Sequence, residues 1–130
     1  MISLLDTNAV IKILNGDPKF DEWAGRYRAG DIGVPSIVMY ELYFGAFKGR
    51  HTSRNMESVD ALHFQTVDFN SEDAKAAGEV RAALVIAGTP IGPYDILIAG
   101  QALARNLTLI THNTREFSRV NGLRIEDWVT

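Results

Sequence analysis

The sequence predicts an α/β fold, an α/β/α sandwich whose central, mainly parallel sheet is covered by helices. Three observations predict it. Short apolar runs alternate with longer amphipathic stretches along the chain, as in successive strand–helix units. A hydrophobic share of 46% with 22% charged residues is that of an ordinary globular chain and argues against disorder. With no cysteine among 130 residues, the fold must rest on its packed core, and a chain of this length can bury one. The same length fits one domain spanning residues 1–130, and no repeat, low-complexity tract or linker interrupts it.

The elements follow in order. Ile2-Ser3-Leu4-Leu5 reads as a short buried strand, and Thr7-Asn8 as the turn and cap into a helix over Ala9–Leu14. Asp17-Pro18 opens a second helix running to about Ala29, since proline is tolerated in a first turn where its missing N–H has no partner. Gly30-Asp31 turns the chain into the strand Ile32-Gly33-Val34. Pro35-Ser36 starts a helix that runs to about Phe47 and is ended by Gly49. A polar helix from about Ser53 to His63 places Met56, Val59 and Leu62 at three-residue spacing, and Thr66-Val67-Asp68 reads as a further strand. Over 71–87, Ala74, Ala77, Val80, Leu84 and Ala87 recur every three or four positions, which marks one helical face. Thr89-Pro90-Ile91-Gly92-Pro93 breaks that helix. Tyr94–Arg105 is apolar on most sides and is expected to be buried. Leu107–Ile110 is the clearest strand, and Leu123-Arg124-Ile125 the expected edge strand.

Composition narrows the function. Without cysteine there is no disulfide scaffold, thiolate zinc site, iron–sulfur cluster or thiol nucleophile. The formal charge of −3, from 13 basic and 16 acidic residues, argues against coating nucleic acid by bulk charge but leaves room for a local contact. No run approaches the ~18 apolar residues of a membrane helix. The start Met1-Ile2-Ser3-Leu4-Leu5-Asp6 has no basic region before its first acid, so a cytoplasmic protein is expected.

Ligands of open parallel sheets bind beyond the carboxyl ends of the strands. Asp6 stands at that end of the first strand, and Thr111-His112-Asn113 at that end of the strand from Leu107. An acid in the position of Asp6 also serves as a helix cap, and alone it does not decide between the two roles. Glu41 is the one charge inside Ile37-Val38-Met39-Tyr40-Glu41-Leu42-Tyr43-Phe44, where desolvation demands a partner, a metal, or a narrow solvent-facing stripe with Val38 and Gly45. Asp95 opens the most apolar helix, whose N-terminus favours an ionised carboxylate. Glu116, taken alone, reads as a solvated loop acid. Together these acids suggest one pocket. Clustered carboxylates cannot all ionise near neutral pH without cations, and hard divalent ions such as Mg²⁺ or Mn²⁺ suit oxygen donors. Such a site suits phosphodiester hydrolysis.

At these residues the chain resembles a PIN domain, specifically the VapC toxins of toxin–antitoxin ribonuclease systems. The resemblance rests on Leu4-Leu5-Asp6-Thr7-Asn8, on Tyr40-Glu41-Leu42-Tyr43-Phe44-Gly45-Ala46, on Gly88-Thr89-Pro90-Ile91-Gly92-Pro93-Tyr94-Asp95 and on Leu109-Ile110-Thr111-His112-Asn113-Thr114-Arg115-Glu116-Phe117. Each segment is weak alone, but four in order make a specific signal over nearly the whole chain. The resemblance implies a Mg²⁺-dependent endoribonuclease, with Mn²⁺ a possible substitute. Asp6, Glu41 and Asp95 would be its acidic metal-binding core. Either Asn113 or Glu116 would complete the site, with Glu116 favoured because it carries charge. Thr7 and Thr111 would fix carboxylates or a water, as would Asn113 through its amide. It further implies a homodimer, a higher toxin–antitoxin assembly, and a small antitoxin of the VapB type. The C-terminal segment of that antitoxin would lie in a groove and send a basic side chain into the acids. The third and fourth segments resemble a branch that cuts the anticodon loop of tRNA, notably initiator tRNA.

Bases outside the motifs offer phosphate contacts: Lys48, Arg50, His51 and Arg54 after the Glu41 helix, and Arg115 and Arg119 around Glu116. A solvated polar loop accounts for the first group equally well. His63 is expected at the core border, and Trp23, Tyr27, Tyr43 and Phe47 in the core or a partner groove. Two other functions fit parts of the pattern. A catalytically silent domain of the same fold would bind RNA or antitoxin only, although the three core acids argue against it. An aspartyl-phosphate phosphatase also places Asp after its first strand, but it needs a second Asp where this chain has Asn8.

Overall fold

Parallel strands buried on both faces need apolar residues at successive positions, and the strands of this chain meet that need. The computed structural model describes residues 1–28 and 30–129. Its elements are β1 (Ser3–Leu5), α1 (Thr7–Leu14), α2 (Pro18–Ala24), β2 (Ile32–Pro35), α3 (Ser36–Lys48) and α4 (Thr52–Asp60), then β3 (Gln65–Val67), α5 (Ser71–Ala87), α6 (Pro93–Ala104), β4 (Thr108–Ile110), α7 (Thr114–Phe117) and β5 (Ile125–Glu126). The sheet has five strands in the order β3-β2-β1-β4-β5, and every pairing is parallel. Leu4 and Leu5 on β1 lie opposite Leu109 and Ile110 on β4, and all four are fully buried. With right-handed crossovers, the connections from β1 through β3 and those from β3 through β5 cover opposite faces. The result is the α/β/α arrangement expected from the sequence.

Two helices position the far side of the molecule. α5 ends at Gly88, whose φ of 72° is the left-handed conformation that favours glycine at a helix end. It packs closely on α6 at Gly100, where an added Cβ would stand 2.5 Å from the backbone of Ala77. Asp73 is buried in this contact. Arg105 donates to it from Nε at 3.2 Å and Nη2 at 3.0 Å, and Gln101 Nε2 donates at 2.9 Å. Burial alone would raise this carboxyl; the bonds from Arg105, the Asn70 N–H and Gln101 outweigh it and hold Asp73 below its ordinary value.

Several boundaries differ from expectation. The helix opened by Asp17-Pro18 ends at Ala24 rather than near 29, and Ala29 lies outside the described residues. Phe20 and Trp23 complete its buried face, after which Gly25 follows and Tyr27 N–H bonds Ala24 O in a tight turn. The cap of α1 is Asp6, not Thr7 or Asn8. α4 ends at Asp60, three residues early, and His63 is exposed rather than at the core border. The edge strand is Ile125–Glu126, because Leu123 closes a turn onto Val120 before pairing begins. Residues 114–117, expected as loop, form one helical turn anchored by the buried Phe117. Among the described residues, no helix is long and apolar enough to cross a membrane.

Candidate active site

The strand order reverses between β1 and β4. Their connections leave the carboxyl ends in opposite directions, and such a switch point opens a crevice. A cleft of about 570 Å³ lies at these ends, lined by Asp6, Thr7, Asn8, Glu41, Asp95 and Asn113 together with Ile11, Tyr40, Phe44 and Tyr94. Four elements supply the polar groups. Asp6 follows β1 directly, Glu41 stands in the second turn of α3, Asp95 in the first turn of α6, and Asn113 between β4 and α7.

Asp6 is fixed from two sides. Its Oδ1 accepts the Ala9 N–H at 2.8 Å, which caps α1, and its Oδ2 accepts the Thr111 hydroxyl at 2.5 Å. Both readings of this residue, cap and cleft acid, therefore describe the same side chain. Burial raises its pKa against these two hydrogen bonds, and the nearby Glu41 charge adds to the rise. Thr111 is fully buried and also accepts the Asn113 N–H at 2.9 Å, so one hydroxyl ties the β4 loop to the β1 acid.

Glu41 is half-buried, and its Oε1 accepts the Thr7 hydroxyl at 2.8 Å. The solvent-facing stripe with Val38 does not exist, because Val38 is completely buried. Asp95 is pushed up to about 7, first by burial, then by a hydrogen bond with Glu116 and by the charges of Glu116, Asp6 and Glu41. Glu116 moves the opposite way. It is held down by Asp95, by the Asn113 amide at 3.0 Å from its Oε2, and by Arg119 and the Gly92 N–H. Their hydrogen bond thus joins an acid pushed up to one held down. Glu116 is not part of the cleft lining and meets it through Asp95 and Asn113.

The expected phosphate-binding residues stand elsewhere. Lys48, Arg50, Arg54, Arg115 and Arg119 do not line the cleft. Lys48 Nζ sits 5.5 Å from the centre of the Phe44 ring at the end of α3, and Arg119 donates to Pro90 O at 2.8 Å. Arg50, Arg54 and Arg115 are exposed. Sequence reasoning gave no role to Tyr40, Phe44 and Tyr94, although all three line the cleft. The available signal was the position of Tyr40 and Phe44 on either side of Glu41, four residues apart on one helix face.

Among the described residues, no three carboxylate or imidazole groups converge into a coordination cage. The donor set still fits a hard divalent cation. Every candidate ligand is an oxygen, and the mutual repulsion that raises Asp95 is what a positive ion would relieve. An ion of the Mg²⁺ type keeps several waters and takes one or two carboxylates, so it requires no protein cage.

Several known proteins resemble the chain in sequence and fold. The PIN domain family model matches residues 3–123. The chain is 37% identical over 127 residues to the tRNA(fMet)-specific endonuclease VapC of Salmonella typhimurium, covering 96% of each chain. It is 39% identical to ribonuclease VapC2 of Haemophilus influenzae, covering 97% of each. Among solved structures, the DNA-bound VapBC of Salmonella typhimurium superposes with a TM-score of 0.92 over 98% of each chain, at 37% identity. VapBC-1 of nontypeable Haemophilus influenzae superposes with a TM-score of 0.90 over the full length of both, at 30% identity.

Proposed function

The chain belongs to the PIN domain family and, within it, to the VapC ribonucleases, and from this premise we propose that it is the toxin of a toxin–antitoxin pair, a divalent-cation-dependent endoribonuclease whose single PIN domain spans 1–130. The observation that carries the reading is the cleft at the β1/β4 switch point, where Asp6, Glu41 and Asp95 arrive from three elements and repel one another. The reaction is hydrolysis: water adds at phosphorus and one P–O bond of the RNA backbone breaks. Mg²⁺, with Mn²⁺ as a substitute, would be held by Asp6 and Asp95 with Glu41, and Glu116 reaches the site through Asp95. When bound, it supplies an oriented water and charge for the transition state.

The chain's own residues do the positioning. Thr111 and the Ala9 N–H fix both oxygens of Asp6, so its carboxylate enters the cleft in one orientation. Thr7 does the same for Glu41. Asn113 holds Glu116, and a cation bound beside Asp95 would relieve the crowding that raises that acid. Lys48, Arg50, Arg54, Arg115 and Arg119 lie outside the cleft lining and are candidates for the flanking backbone only.

The relative from Salmonella typhimurium is named for tRNA(fMet), and initiator tRNA, cut in the anticodon loop, is the substrate we assign to this chain. The partner is a small antitoxin of the VapB type, in a cytoplasmic complex built on a toxin homodimer. A second groove, lined by Ile11, Leu14, Leu42, Gly45, Ala46 and Val59, shares Ile11 and Glu41 with the cleft. A segment lying there reaches the acids directly, and a basic side chain on it would be complementary to them. Expression of the chain alone should stop growth and leave one dominant cut in initiator tRNA, and co-expression of the adjacent small gene product should relieve both. Harmless expression of the folded chain would favour a silent binding domain instead.

A further inference from the structure

Glu41 is flanked on α3 by two aromatic side chains that the fold does not bury. Tyr40 is 53% exposed and Phe44 58%, although both sit on the cleft rather than on open surface. Tyr94, the second residue of α6, meets them from the opposite wall at 42% exposure. The Tyr40 and Tyr94 rings lie 5.6 Å apart at 57°, and their hydroxyls stand 3.3 Å apart. Tyr40 and Tyr94 thus hold each other in place while both stay well exposed to the cleft. The core has no use for these rings, and the proposed chemistry has none either.

We propose that Tyr40, Phe44 and Tyr94 form a stacking platform for the unpaired bases on either side of the scissile phosphate, which makes the cleft selective for single-stranded RNA. The proposal rests on the ribonuclease reading above and specifies the form of RNA that reading requires. Three features favour this occupant. The rings line the same cleft as Asp6, Glu41 and Asp95, so a phosphodiester among the acids brings its own neighbouring bases to them. Lys48 Nζ lies over the Phe44 ring, 5.5 Å from its centre, and supplies a cation for the neighbouring backbone phosphate. Aromatic side chains beside a cation bind single strands through stacking that any nucleobase can supply. Bases within a duplex are already stacked and paired, and gain nothing from the rings.

The test uses the full chain carrying Asp6→Asn, so that RNA is bound and not cut. Fluorescence anisotropy with a labelled single-stranded RNA and with its duplex measures binding in the presence of Mg²⁺, which offsets the remaining acids of the cleft. Replacing Tyr94 or Phe44 by Ala should weaken single-strand binding about tenfold, within the range for one lost base stack. Duplex binding should not change. Phe44→Leu should lose as much as Phe44→Ala, because it keeps the apolar bulk and removes the π face, whereas Tyr94→Phe should bind like the parent. Ile86→Ala, on the exposed face of α5, is the control for general loss of surface apolarity. In the cleaving protein, Tyr94→Ala should raise KM more than it lowers kcat. Equal binding by parent and Ala variants would overturn the platform, as would Phe44→Leu binding like the parent. So would loss of the co-expressed antitoxin with RNA binding intact, which would make this a protein-docking face. Absence of metal-dependent cutting by the unmutated chain would instead overturn the ribonuclease reading itself.

Discussion

Asp6 joins the fold to the chemistry at the scale of one side chain. One carboxylate oxygen ends the β1–α1 turn as a helix cap, and the other is aimed by Thr111. These duties separate by mutation. Asp6→Asn keeps a capping oxygen and should leave thermal stability nearly unchanged while abolishing cleavage. Asp6→Ala loses the cap as well and should cost about 1 kcal/mol more, read from chemical denaturation. Equal stability of the two variants would mean that the cap contributes nothing. Asp95 makes a second prediction. Its folded pKa of about 7 stands above the ordinary 3.8, so between these values the folded protein holds a proton that the unfolded chain lacks. Stability of the metal-free protein should therefore decline as pH rises from about 4 to 7. Asp95→Asn should melt higher than the parent above pH 7 and no higher near pH 4. A stability gain equal at both pH values would remove the proposed charge crowding.

At the scale of elements, the α5–α6 pair carries a polar lock remote from the cleft. Asp73 is buried and bonded to Arg105, Gln101 and the Asn70 N–H, while the Arg105 side chain remains a third exposed. Removing the acid costs Gln101 one of its bonds, since its Nε2 still donates to Asp68 O at 3.1 Å, and lets Arg105 rehydrate. Asp73→Ala should therefore cost about 2 kcal/mol, less than the ~3–5 of a fully buried broken pair. The carboxyl is held below its ordinary value, so its contribution is present above the unfolded pKa and is lost as pH falls through the folded one. An acid-unfolding curve should be shallower for Asp73→Asn, and an unchanged acid limb would refute the lock. This lock shows where the sequence was hard to read. The span of α5, 71–87, was legible from its periodicity and from the break at 89–93. The stripe of alanines, however, suggested Ala74 and Ala87 as buried, whereas the buried face is Asp73, Ala77, Val80 and Leu84. An acid paired across 32 residues leaves no local signal. The early ends of α2 and α4 escaped for a similar reason: apolar spacing persists past Trp23 and Val59, but the chain tightens into turns there. The acids of the cleft were legible because Asp6 follows a strand, Glu41 interrupts an apolar helix and Asp95 opens one, and the exposed rings beside them were not, because an aromatic in a helix reads as core.

Across the whole molecule, the formal charge of −3 takes on a location. Without Asp6, Glu41 and Asp95 in the cleft and Glu116 behind Asp95, twelve acids face thirteen bases, so the excess of negative charge belongs to the candidate site. An RNA phosphate entering that cleft is repelled by the acids until a cation neutralises them. The fold sets this up by topology: reversal of strand order at β1/β4 brings Asp6 and Asn113, 107 positions apart, to one opening. Activity must then depend on the divalent ion and on Asp6 together. The most direct measurement is cleavage of purified initiator tRNA by the antitoxin-free chain, with Mg²⁺ or Mn²⁺ and in excess EDTA, beside the Asp6→Asn protein. Cutting with either ion, none in EDTA and none by Asp6→Asn is the predicted result; undiminished cutting in EDTA, or by Asp6→Asn, would contradict it.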